Sequence, residues 1–239
     1  MDKTQDSALL AKRALQVQRG GARAAVLGVN DGLVSTLCIV LGVAGAGAES
    51  HTVLLAGFAG LVAGAVSMAA GEWISVRAQV ELFGGILKDI QKLIIDDRPL
   101  LIEQMTDSLS KSGHGDQTAA RAAEEIATSD HHLTEAYARQ VMGFNPDELG
   151  SPWIAAGSSF LLFTIGALAP LSPWIFSGDS FAIGLSIIFT GVGSLIVGGY
   201  ISASSGKNVI YGGLRQLAIV VLASVVTYGI GYIFGVSVG

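Results

Sequence analysis

This sequence is short of charge. Lysine, arginine, aspartate and glutamate make up 14% of its 239 residues, against about 25% in an ordinary soluble domain. Its single cysteine, Cys38, excludes an intrachain disulfide framework and a zinc knuckle. Basic residues are outnumbered, and a formal net charge of −5 gives no support to nucleic-acid binding.

The shortage of charge is uneven. Five stretches, roughly 24–47, 53–76, 152–176, 181–203 and 214–237, are almost free of it. Each approaches the roughly 20 helical residues that cross a hydrocarbon core. With 51% hydrophobic residues and a mean hydropathy of +0.57, the sequence predicts an all-α integral membrane protein with five transmembrane helices. The first stretch is too long for a signal peptide, and four more follow it.

The basic residues set the orientation. Lys3, Lys12, Arg13, Arg19 and Arg23 precede span one. Arg77, Lys88, Lys92, Arg98, Lys111, Arg121 and Arg139 lie between spans two and three, and Lys207 and Arg215 flank the connection of spans four and five. The short loops 48–52 and 177–180 carry none. This alternation predicts a cytosolic N-terminus, a cytosolic 77–151 segment and a C-terminus on the other side.

Four segments follow: 1–23, 24–76 with spans one and two, 77–151, and 152–239 with spans three to five. Residues 7–19 mix apolar and basic positions, as an interfacial helix or a plain solvated leader would. Val76, Val80, Phe83, Leu87, Ile90 and Ile94 form a heptad-like seam that carries span two on into the cytosol. Asp97-Arg98-Pro99 ends it, and Pro99 suits the opening of a second helix. Leu100, Leu101, Met105 and Leu109 give that helix an apolar face, and SGHGD (112–116) breaks it. Asp116 then N-caps a third helix running to about Met142. Ser151 and Pro152 suit the cap and first turn of span three. The insert is thus expected to be a small three-helix domain. Gly60 and Gly64 form a GxxxG in span two, and the other spans are rich in small residues that let backbones approach. Five helices are few to enclose a pathway, which favours a homodimer sharing one.

Ionisable groups inside a span are costly and mark functional sites. Asp31 lies eight residues beyond Arg23, about 12 Å into span one. Glu72 and Met68 lie about 7 and 13 Å in from Arg77 on span two, four residues apart and so on one helix face. A carboxylate and a thioether at similar depth suit a transition-metal dication better than Mg²⁺ or Ca²⁺, and the carboxylates can take up protons when metal leaves. Plainer readings stay open: Glu72 snorkelling or pairing with Arg77, and Met68 and Cys38 as packing residues.

NDGLVSTLCIVLGVAGAG in span one, LVAGAVSMAAGEWISVRAQVELF at the end of span two, NPDELGSPW before span three and LRQLAIVVLASVVTYGIG in span five resemble the vacuolar iron transporter family. The family is also known from the yeast vacuolar calcium-cross-complementer protein and has bacterial-type members. The resemblance covers essentially the whole chain. It implies five-span homodimers that move Fe²⁺, and often Mn²⁺, out of the cytosol in exchange for protons, with the path at the dimer interface between the first two spans. The family's intramembrane Asp, Met and Glu correspond to Asp31, Met68 and Glu72. No bound cofactor is implied; the metal, with Zn²⁺ as a further candidate, is cargo.

The cytosolic segment departs from the family pattern of spaced glutamates. Glu81 remains, but Gly84 stands at the next acidic position, and Lys88 and Lys92 occupy a face expected to be acidic. Other acids are Asp89, Glu103, Glu124, Glu125 and Glu135, joined by His131 and His132. Glu124, His131 and Glu135 step by seven and four, so on one continuous helix they share a face, with Glu125 and His132 on the next stripe. That pattern reads as a rebuilt His/Glu metal site or as a solvated acidic face. Between residues 81 and 148, thirteen acids face six bases.

Two rival readings stand beside a proton-coupled metal exporter. One is a transporter of organic or anionic solutes, for which the spans offer only Arg215. The other is a non-transporting, membrane-anchored metal sensor or scaffold. The short loops, with no targeting extension, suit a prokaryotic plasma membrane; a vacuolar membrane would look similar.

Overall fold

The computed structural model describes residues 21–146, 149–176 and 179–238, and every regular element among them is a helix. In chain order these are α1 (Gly21–Gly45), α2 (Ser50–Asp96), α3 (Arg98–Lys111), α4 (Asp116–Ile126), α5 (Asp130–Gln140), α6 (Pro152–Leu171), α7 (Pro173–Phe176), α8 (Asp179–Ser204) and α9 (Val209–Val238). The interfacial helix expected over 7–19 lies outside the described residues. The chain divides into two compact units, residues 1–74 with 152–239 and residues 75–151.

The first unit holds the spans. α1, the first half of α2, α6, α8 and α9 are each long and apolar enough to cross a membrane. Their shared core is built on Leu37, Val40, Leu41, Leu61, Phe163 and Leu171, all buried. Close approach depends on glycine. A Cβ on Gly32 would run into the Phe163 carbonyl, and one on Gly166 into the Val29 carbonyl, so the α1 and α6 backbones touch. The GxxxG of span two works differently from the expected backbone approach. Gly60 admits the Ile39 Cδ1 atom, and Gly64 admits the Phe163 ring.

The pairings fix the relative directions of the helices. Gly28 faces Ser159 and Gly32 faces Ala167, so α1 and α6 run parallel. On α9, Gln216 bonds Asn30 of α1 and Gly231 packs on Gly42, which makes that pair parallel as well. α8 runs against both, since Gly191 meets Leu217 and Gly198 meets Gly212.

Span three is shorter than the expected 152–176. α6 ends at Leu171, and Pro173 opens the four-residue α7, because a proline has no N–H with which to extend the preceding helix. The turn is fastened from inside: Trp174 Nε1 donates to Ser186 Oγ (2.9 Å), which donates to the Pro170 carbonyl (2.7 Å). Near the start of α6, Trp153 meets Trp73 edge-on at 5.7 Å, as interfacial aromatics do.

The second unit spans residues 75–151. The predicted seam is real: Ile90 and Ile94 are buried, Leu87 packs beside them, and Phe83 stacks on Phe144 at 4.5 Å. The Asp97 carboxylate accepts from Leu100 N (3.3 Å) at the start of α3, with Pro99 in its first turn. Leu101 and Met105 are fully buried, Leu109 packs on the same core, and Leu100 is exposed instead. Gly113, at φ +100°, lets the chain leave α3 in the left-handed region that favours glycine.

Two expectations fail here. Gly115, not Asp116, is the N-cap of α4. The third helix, expected to be continuous to about Met142, breaks at 127–129, so the insert has four helical segments rather than three. The break has a local cause. Ser129 adopts extended backbone and its hydroxyl accepts from His132 N (3.4 Å), capping a new helix. Arg98 then fixes it, donating to the Ala127 carbonyl (2.7 Å) and pairing with Asp130.

Candidate functional site

The membrane candidates lie on α1 and α2. Asp31 is exposed on the single chain, and no hydrogen bond or ion pair joins its carboxylate to another described residue. On α2, Met68 and Glu72 are half-buried, and Met68 packs against the spans' core. Arg77, a possible partner for Glu72, instead bonds Glu81 at 2.6 Å. Cys38 is a free, half-buried cysteine whose thiol bonds Thr227, which fits a packing role. Within one chain, no three His, Cys, Asp or Glu residues among those described are grouped to hold a metal ion.

On the single chain the Asp31 carboxylate lies at the surface of a span. A carboxylate presented to lipid at the depth of Asp31 costs about 2.5–3.5 kcal/mol on insertion scales. Leu55, Phe58, Val62 and Val66, spaced by three and four on α2, are exposed as well.

In the insert, the break at 127–129 redistributes the candidate ligands. Glu124 now belongs to α4 and His131 and Glu135 to α5, so the three do not share the face of one helix. A cleft of about 490 Å³ opens between α3, α4 and α5. Its walls bring together Glu125, His132 and Glu135, with Met105 and Leu109 of α3 among the apolar residues and Arg139 and Gln140 beside the carboxylates. Glu124, His131, Glu81 and Glu103 do not line it. Glu135 is the most engaged of these acids, lying 3.6 Å from His131 and 4.0 Å from Arg139. Glu81 is tied to Arg77. The sequence reading left Met105 and Arg139 out of the site. Met105 counted only as apolar face, and the position of Arg139 against α4 depended on a break that was not foreseen.

These features define a polytopic α-helical membrane protein with a small helical insert between its second and third spans. The chain belongs to the VIT family, whose family model matches residues 22–232. Vacuolar iron transporter homolog 1 of Oryza sativa subsp. japonica is 34% identical over 221 residues, covering 89% of this chain and 73% of its own length. Vacuolar iron transporter homolog 2 of Arabidopsis thaliana is 29% identical, covering 89% of this chain and 84% of its own length. Homolog 3 of that plant is 31% identical over 239 residues, covering 98% of this chain and 92% of its own length.

Proposed function

We propose that the protein is a homodimeric, proton-coupled exporter of Fe²⁺, and of Mn²⁺ beside it, carrying metal out of the cytosol along a path lined by α1 and α2. The observation that carries this reading is Asp31, an exposed carboxylate with no partner among the described residues, inside a spanning helix. A second copy seated over α1 and the open stripe of α2 would cover it. The path would then hold Asp31, Glu72 and Met68, oxygen and sulfur donors suited to a borderline dication. Family membership and the relatives' name, vacuolar iron transporter homolog, support iron as the cargo.

The chemistry follows from the donors. A carboxylate binds metal only when deprotonated, so proton and metal compete for the same oxygens. Loading from the cytosol and protonation from the far side drive release in one direction. The basic-residue pattern supports a cytosolic N-terminus and insert. The insert, with its Glu125–His132–Glu135 cleft, would gather cations near the entrance, Zn²⁺ included.

Proteoliposomes loaded with a metal-sensitive and a pH-sensitive dye test this with Fe²⁺, Mn²⁺ and Zn²⁺. The expected result is Fe²⁺ uptake into the compartment facing the C-terminus, with protons leaving it. A second reading, an anchored metal sensor or scaffold, draws on the insert cleft. It predicts metal binding to the full-length protein with no flux of any of the three ions.

A further inference from the structure

α1 contains one acid, Asp31, and α9 contains one charged residue, Arg215. Arg215 lies about 9 Å along the helix from Val209, where the apolar stretch of α9 opens. It is exposed on the single chain, as Asp31 is. Its neighbours one turn away on the same face, Tyr211 and Ile219, are exposed too, so the cation sits in a largely apolar surface. Neither charge is paired with another described residue in the single chain.

The packing turns both side chains to the same side of the α1/α9 pair. Leu33, two residues beyond Asp31, packs on α8, its Cδ2 2.9 Å from the Cβ position of Gly193. Leu217, two residues beyond Arg215, packs on α8 as well, its Cδ1 3.3 Å from the Cβ position of Gly191. Residues two apart on a helix point about 200° apart, so Asp31 and Arg215 both face away from α8. Their levels are set by the hydrogen bond from Gln216 to Asn30, which joins the residue after Arg215 to the residue before Asp31. Since α1 and α9 run parallel, Asp31 lies one residue deeper than that bond and Arg215 one residue shallower, about 3 Å of helical rise in all. Packed helix axes lie about 8–10 Å apart. An extended arginine and an aspartate on neighbouring helices close such a gap between them.

We propose that Arg215 is the counter-ion of Asp31: in the metal-free protein within the membrane its guanidinium turns onto the Asp31 carboxylate, and an arriving divalent cation displaces it. The proposal rests on the reading of Asp31 as a cargo ligand. Opposite charges on one apolar face attract strongly where no water screens them, and ionisable groups inside spans pair with one another. A guanidinium stays charged, so it competes with cargo as a tethered single positive charge. A dication brings twice that charge and displaces it, whereas a monovalent ion has no such advantage. Arg215 thereby biases the site toward divalent cargo and keeps its hold weak enough for release. Once displaced, the long side chain reaches back toward the cytosolic headgroups.

The test uses the full-length protein in lipid nanodiscs with Mn²⁺ as the probe, its binding followed by electron paramagnetic resonance. Asp31→Asn identifies the share of binding that depends on Asp31. Arg215→Gln should tighten that share by roughly tenfold or more. Arg215→Lys, which keeps the charge, should stay within about threefold of wild type. A residue that only supported the fold would weaken binding when replaced, so tightening separates the two roles. Asp31-dependent binding that is unchanged or weaker in folded Arg215→Gln overturns the counter-ion and leaves the cargo site intact. Wild-type Mn²⁺ binding that Asp31→Asn does not reduce overturns the cargo site, and the counter-ion with it. If Arg215→Gln does not fold, a high-resolution map of the metal-free wild-type protein in nanodiscs decides: the Arg215 guanidinium is expected within hydrogen-bond reach of the Asp31 carboxylate. A guanidinium turned to the lipid headgroups there would refute the proposal.

Discussion

Arg98→Ala should loosen the insert in one place. Its guanidinium donates to the Ala127 carbonyl at the end of α4 and pairs with Asp130 at the start of α5. The first bond is partly buried and involves a charged donor, a class that contributes about 1.5–3 kcal/mol. The second is an ion pair whose Asp130 side chain is 68% exposed, so it adds only about 0.2–1 kcal/mol. A combined loss of about 2 kcal/mol corresponds to a roughly 30-fold rise in the local opening constant. Hydrogen exchange followed by mass spectrometry on the full-length protein reads that constant by segment. Amides in 119–126 and 130–140 should exchange roughly 30-fold faster, with those of α1 and α6 unchanged. Arg98→Lys should recover only the smaller ion-pair share, because an ammonium lacks the fork that reaches two acceptors at once. If the alanine variant accelerates exchange in these segments by less than about threefold, Arg98 does not hold the break.

Three further outcomes follow from the packing. Phe163→Ala empties the ring that sits against Gly64 and should cost about 3–5 kcal/mol, seen as a lower melting temperature and loss of the monodisperse peak in detergent. Gly32→Ala drives a methyl into the Phe163 carbonyl and should abolish folded protein. Gly71→Ala, with nothing within 4 Å, should be neutral or gain up to about 1 kcal/mol from helix propensity. Tyr137 is buried and donates to Gln104, and burial raises its pKa above the ordinary value of 10.0. Above that pH the unfolded chain sheds this proton first, so the insert's stability falls as pH rises and is intact below it. A tyrosinate absorbance titration of wild type minus Tyr137→Phe should show a midpoint above 10.

The spans were legible because nothing else makes such long runs without charge, and α3 because Asp97-Arg98-Pro99 is an unambiguous stop and start. The break after Ile126 was harder. Residues 123–127 read AEEIA and 133–138 read LTEAYA, good helix formers on both sides, and their periodicity overrode the one contrary sign, the cap formers Thr128, Ser129 and Asp130. That error placed Glu124 with His131 and Glu135, whereas the folded chain gathers Glu125, His132 and Glu135. Span three was read too long because WIF after Pro173 is as apolar as what precedes it, and hydropathy does not register a proline turn. Asp31 was legible from charge alone. The direction it faces was not, since that depends on which sides of α1 the glycines give to α6 and α9. The hydroxyls of Thr36, Thr190 and Ser194, buried with no hydrogen-bond partner among the described residues, gave no signal in the sequence, because a hydroxyl in a span usually satisfies its own helix.

The central claim rests on a carboxylate in the first span taking hold of the cargo. Metal flux into proteoliposomes, measured for wild type and Asp31→Ala with oligomeric state checked in the same preparation, tests it most directly. The account predicts a folded dimer with no Fe²⁺ flux from the variant. Flux at the wild-type rate from that dimer would contradict it.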